Sequence, residues 1–134
     1  MKHVNKYMLS NLLAPLGGTA DIDEEINNYT NFENNNEILV KHVIANEIKP
    51  YYYIQSDLYK ESVKRSLAYF LTTDKINYGD LYDNCLIAFD HPKDPRSFFL
   101  WIWEVLFPFE NYYITNTENY IEVENPNEAN SYLQ

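Results

Sequence analysis

"SFFLWIWEVLFPFENYY", residues Ser97 to Tyr113, holds both tryptophans of the chain and four of its seven phenylalanines, and its reading decides the fold. Just upstream, Asp94 precedes Pro95, an N-cap residue followed by proline at the first helical position, where a missing N–H costs nothing. From Phe98 to Phe107 the run is apolar on nearly every side, the pattern of a helix packed all round rather than along one stripe. Pro108 ends it. A membrane span is excluded by length, because the apolar stretch is about a dozen residues, broken by Glu104 and Pro108, and a span needs about twenty. The run is therefore expected to be the central helix of a core, and "FENYY" the place where that core gives way to a tyrosine-rich acidic surface.

Working upstream, Ser56 and Asp57 start "DLYKESVKRSLAYFLTT", in which Tyr59, Val63, Leu67, Phe70 and Leu71 form an apolar stripe opposite Lys60, Glu61, Lys64 and Arg65. "YGDLYDNCLIAF" reads as a helix after Gly79 with Leu81, Cys85, Leu86 and Phe89 inward, and "DHPKDP" breaks it. "EILVKHVIANEIKP" reads as a helix with Leu39, Val43, Ala45 and Ile48 on one face, stopped by Pro50, after which "YYYIQ" reads as a short extended segment. "VNKYMLSNLLAP" is a short helix with Val4, Met8 and Leu12 aligned, closed by Pro15. Between these two helices residues 19 to 37 are polar, a loop with one amphipathic turn at Ile22, Ile26 and Tyr29. That segment also holds an Asn-glycosylation pattern at Asn28, which has meaning only in a secreted chain.

Downstream, "YYIT" and "YIEVE" flank "NTEN", which predicts a β-hairpin with Ile121 and Val123 inward and Tyr120, Glu122 and Glu124 outward. The tail "NPNEANSYLQ" reads as frayed. No repeat and no linker divides the 134 residues, so a single domain over 1–134 is expected. The expected class is α+β: mostly helical, about four to five helices, with a small antiparallel sheet that includes the C-terminal hairpin.

Twenty acidic side chains against ten basic ones give a net charge of -10, which repels nucleic acid and anionic lipid and favours a basic partner. The imbalance is uneven: residues 67 to 134 carry eleven acids and three bases, and no Lys or Arg follows Arg96. The lone Cys85 has no internal disulfide partner, and the N-terminal segment lacks a clean apolar run, so a cytoplasmic protein is expected.

Catalytic signatures are absent. His3, His42 and His91 lie far apart and in no metal-ligand spacing, and "DHPKD", with Asp90, His91 and Asp94, is accounted for by a turn that ends in an N-cap. Cys85 falls on an inward face, the reading of a structural thiol. Pairs such as Asp80 with Asp83 or Glu122 with Glu124 arise in any acidic chain, and "PLGGTA" is no phosphate loop. No cofactor and no metal is expected, and no enzymatic activity.

What remains is an acidic, tyrosine-dense second half. Tyrosine gives a large stiff contact surface with a polar tip, and carboxylates steer a cationic partner. In size and charge the chain is similar to the immunity proteins of bacterial toxin systems, although no family motif carries that likeness. The reading is an acidic inhibitor that covers the active site of a basic toxin, in particular a nuclease. Asp80, Asp83, Glu110, Glu118, Glu122 and Glu124 are its pairing acids, and Tyr82, Tyr112, Tyr113 and Tyr120 its aromatic anchors. Two other readings fit the same composition: a phage-encoded DNA mimic directed at a defence nuclease, and a small enzyme whose site joins Asp90 and His91 to an acid of the hairpin. If part of the greasy run were exposed, a second copy of the chain would be a further partner.

Overall fold

The computed structural model describes residues 1–17 and 32–132. In chain order these form β1 (Lys2–Val4), α1 (Lys6–Leu12), a 3₁₀ turn (Ala14–Leu16), α2 (Glu37–Val43), a π-helical turn (Ile44–Ile48), α3 (Lys49–Tyr53), α4 (Asp57–Thr73), α5 (Tyr78–Asp83), α6 (Pro95–Leu106), β2 (Tyr120–Glu122) and a 3₁₀ helix (Glu128–Tyr132). The turn expected at Ile22, Ile26 and Tyr29 and the pattern at Asn28 lie outside the described residues.

α6 is the hub. Asp94 caps it by accepting from the Arg96 N–H at 3.1 Å, Pro95 occupies the first turn, and Phe98, Phe99, Trp101, Ile102, Trp103 and Leu106 are all buried. Its neighbours are α2, the π turn, α4 and α5, so nearly every face meets protein. The exception is Glu104, which is exposed and takes Lys41 of α2 at 3.1 Å. At the far end the Trp103 indole N–H donates to the Glu110 carbonyl at 2.8 Å, folding the chain back after Pro108.

α4 is the second pillar. The Ser56 hydroxyl caps it, accepting from the Tyr59 N–H, and the expected stripe of Tyr59, Val63, Leu67, Phe70 and Leu71 is buried. Asp74 ends it in the left-handed region at φ 54 and there binds the Arg96 guanidinium at 2.9 Å. α1, β1, α6 and the terminal 3₁₀ helix all pack against α4.

The sheet is not the one expected. Its two strands are parallel and come from opposite ends of the chain, with Lys2 opposite Tyr120, His3 opposite Ile121 and Val4 opposite Glu122. No C-terminal hairpin forms among the described residues, and the reason is local. The Thr72 hydroxyl of α4 accepts from the Ile114 N–H at 3.1 Å and donates to the Tyr112 carbonyl, so the "YYIT" segment spends backbone groups on the helix. That leaves "YIE" to pair elsewhere, and the Val123 N–H reaches the Val4 carbonyl at 2.8 Å. Tyr120, expected outward, is half-buried and stacks on Tyr69 at 5.5 Å between ring centres, whereas Ile121 is exposed.

Smaller corrections have equally definite causes. Val4 belongs to β1 rather than to the first helix, because Asn5 is extended and serves as the N-cap of α1. Pro50 neither ends a helix nor opens a strand. It has no N–H to give to a residue four back, so the chain widens into a π turn, closed by the Lys49 N–H on the Ile44 carbonyl, and Pro50 then sits in the first turn of α3. The buried face of this stretch is Val40, Ile44 and Ile48, and Leu39 is exposed. The tail does not fray: Ala129 is buried and the last 3₁₀ helix docks on α1 and α4.

That docking rests on a buried polar knot. Asn5 is fully buried; its Oδ1 accepts from the Tyr7 N–H, its N–H donates to the Ser66 hydroxyl, and its Nδ2 donates to the Asn125 carbonyl and to Glu128 Oε1, each within 3.0 Å. Ser62 and Tyr132 hydroxyls complete the shell of the Glu128 carboxylate. Burial alone would raise the Glu128 carboxyl; hydrogen bonds from Asn5, Tyr132 and Ser62, with the nearby His3, outweigh it and hold its pKa below the ordinary value.

Asn5→Ala removes a helix cap and strips a donor from a half-buried carboxylate, and is expected to cost roughly 2 to 4 kcal/mol in urea unfolding. The depressed Glu128 pKa adds stability that is present above the unfolded carboxylate value and is lost as pH falls through the lower folded one. Acid titration followed by the fluorescence of the tryptophans should show that loss in the wild type and a flatter curve in Glu128→Gln.

Candidate functional site

Cys85, His42 and His91 each have a hydrogen-bond partner within the fold. Cys85 is half-buried, with its thiol against the Leu81 carbonyl at 3.3 Å, and burial pushes that thiol up, away from the reactive thiolate. His91 directs Nδ1 to the Pro92 carbonyl, and His42 pairs with Asn46 one turn on. Among the described residues no cluster of three His, Cys, Asp or Glu is placed to hold a metal ion, and no helix is long and apolar enough to cross a membrane.

The sequence-selected acids and tyrosines separate into three places. Asp80 of α5 meets Glu122 and Glu124 of the β2 segment across a groove of about 330 Å³, but Lys6 and Lys75 line the same groove. Lys6 lies 3.9 Å from Glu124, Lys75 lies 3.9 Å from Glu122, and the Tyr69 hydroxyl donates to Glu122 at 2.9 Å. Glu110, Tyr112, Tyr113 and Tyr120 border a second, shallower hollow of about 360 Å³ floored by Trp103. Here too the acid is spent, since Lys64 binds Glu110 at 2.7 Å, and Tyr112 is half-buried against Arg96, which donates to its hydroxyl at 3.1 Å. Tyr113 is exposed and free to serve as an anchor. Glu118 is exposed and lines neither hollow.

The third place lies at the end of α5. Asp83 and Asp90 are exposed and border a hollow of about 180 Å³, and among the described residues no Lys or Arg lines it. Tyr82, chosen as an anchor, is only 2% exposed and belongs to the core: its hydroxyl donates to the Phe89 carbonyl at 2.7 Å and its ring meets Phe98 edge-on. Burial raises the Tyr82 phenol far above its usual range, and the Asp90 and Asp83 carboxylates add to that.

Leu86, expected inward, is instead 71% exposed, with its backbone in the left-handed region at φ 53. Such a conformation costs a leucine about 1 to 2 kcal/mol. It arises because α5 stops at Asp83, so the helical spacing of Leu81, Cys85, Leu86 and Phe89 is broken after Leu81. The adjacent Asp83 and Asn84, both poor helix formers, were the available signal. The loop is held from beneath: Gly17 bridges to Ile87, and the Asn34 amide donates to the Asp90 and His91 carbonyls at 3.0 Å.

The chain matches no protein-family model, no curated protein and no solved structure.

Tyr82→Phe deletes a buried hydrogen bond and is expected to lower unfolding stability by about 1 to 2 kcal/mol. Leu86→Gly relieves a left-handed leucine but loosens the unfolded chain, and the two effects should leave stability within about 1 kcal/mol of wild type. Chemical denaturation measures both; a larger loss at Leu86 would mean that its side chain packs against the fold.

Proposed function

We propose that this protein binds and neutralises a basic protein, acting as an immunity protein or inhibitor that occludes the active site of a nuclease toxin. The observation that supports this reading is the distribution of neutralised charge. Lys6, Lys41, Lys64, Lys75 and Arg96 are committed to Glu124, Glu37 with Glu104, Glu110, Glu122 and Asp74, respectively. Asp80 and Asp83 of α5 and Asp90 of the loop that follows are exposed and make no ion pair among the described residues, as is also true of Glu47, Glu61 and Glu118.

A nuclease binds phosphates through Lys and Arg, and carboxylates on a rigid surface satisfy the same cations without offering a bond to cleave. The long-range field of a chain at -10 speeds encounter with a cationic partner, and the unpaired acids add short-range pairing. The mechanism is steric and electrostatic, and it asks no chemistry of the protein itself.

Capture of tagged protein from its native lysate at low salt is expected to recover a basic nuclease whose activity the protein suppresses, and about 0.5 M salt, which screens exposed charges within a few ångströms, should weaken that recovery. With the captured partner in hand, Asp80→Lys combined with Asp83→Lys should slow association about tenfold or more at low salt and flatten its salt dependence. Recovery of a partner without nuclease activity, or a nuclease that the protein does not inhibit, would overturn the reading.

A further inference from the structure

We infer that the hollow between the end of α5 and the Asp90 loop receives one lysine or arginine side chain of a basic partner, its aliphatic stem against Leu86 and Phe89 and its cationic head between Asp83 and Asp90. The inference rests on the reading of the protein as a binder of a basic protein and names the place where that partner inserts.

The lining carries both halves of the argument. Tyr82, Leu86, Ile87 and Phe89 are apolar walls, and Asp83 and Asp90 are the charged rim. Lysine and arginine have that same division, an apolar stem and a charged head. The volume of about 180 Å³ is below the roughly 300 to 1,000 Å³ of sites that enclose a whole small ligand, so a single side chain is the fitting occupant.

The competing surfaces lack this match. In the groove at Glu122 and Glu124 the chain supplies its own lysines, and at Glu110 the Lys64 ammonium already stands on the carboxylate. In the smallest of these three hollows neither rim carboxylate has an ion pair among the described residues, whereas in the other two lysines stand on Glu124, Glu122 and Glu110.

Its shape is also set before a partner arrives. The Tyr82 hydroxyl pins the Phe89 carbonyl from below, Asn34 pins the carbonyls of Asp90 and His91, and the Cys85 N–H closes on the Tyr82 carbonyl. A loop tied at these points has little freedom left to lose on binding, and preorganisation of that kind is kept as affinity.

The test uses the full-length protein, labelled with ¹⁵N, and N-acetyl-L-arginine methylamide as the probe, with N-acetyl-norleucine methylamide as its uncharged counterpart. Arginine should give saturable amide shifts confined to residues 82 to 91, and norleucine should not. In Asp83→Asn combined with Asp90→Asn the affinity should fall roughly threefold to tenfold, as expected for the loss of two exposed ion pairs, while Glu122→Gln combined with Glu124→Gln leaves it unchanged. The same spectra show that each variant is folded. Shifts spread evenly over the acidic surface, or an affinity indifferent to Asp83 and Asp90, would overturn the inference. The two proposals fail separately: a captured nuclease that still binds the Asp83 and Asp90 variant with full affinity sinks the hollow alone, and arginine seated in the hollow of a protein that inhibits no nuclease sinks the inhibitor reading alone.

Discussion

One amide holds the two ends of this chain together. The Asn5 side chain caps α1 through its oxygen and reaches the C-terminal segment through its nitrogen, while its backbone N–H is fixed on Ser66 of α4. In a dry site an amide left half-satisfied is costly, so the arrangement forms as a unit or not at all. β1 and β2 are three residues each, too short to be stable as an isolated pair, and they persist because Asn5 clamps one edge and Tyr69 supports Tyr120 at the other. The position of Glu122 and Glu124 beside α5 therefore depends on a residue at the opposite end of the chain.

The parts of the fold that could be read from the sequence are those whose signals are local. α4 and α6 each carry a cap residue and a sustained apolar pattern, with Pro108 closing the second, and each forms where those signals place it. The partner of "YIEVE" was not legible, because strand pairing depends on what else competes for the same backbone groups. A threonine on α4 took the "YYIT" carbonyl and N–H, and no window around either segment contains that fact. Pro50 misled for a related reason: proline forbids one hydrogen-bond register, and the chain answered by changing register rather than by ending the helix. Leu86 departs from the helical spacing because α5 stops at Asp83.

Of the candidate surface, the charge was legible and its distribution was not. A count of acids treats all of them alike, yet the fold returns lysines from the first half of the chain to acids of the second: Lys6 to Glu124, Lys41 to Glu104 and Lys64 to Glu110. Pairs such as these contribute little to stability at an exposed site, but they remove the acid from use by a partner. Tyr82 shows the same limit from the apolar side, since a tyrosine one residue from an exposed aspartate is buried to 2% and holds the core through its hydroxyl.

Charge and shape then divide the work of recognition. A net charge of -10 accelerates encounter with cationic proteins in general, because a long-range field does not distinguish one lysine-rich surface from another. Discrimination requires contacts that a wrong partner cannot satisfy. On the proposed reading Leu86 supplies such a contact: the two unpaired carboxylates beside it repel an anion, and the exposed leucine offers apolar surface that a compact cation without a hydrocarbon stem cannot use. A side chain with a long apolar stem and a cationic tip gains from both features at once. The left-handed backbone that presents the leucine is paid for by the burial of Tyr82 and Phe89 beneath it, so the core that makes the fold also sets the geometry of the rim.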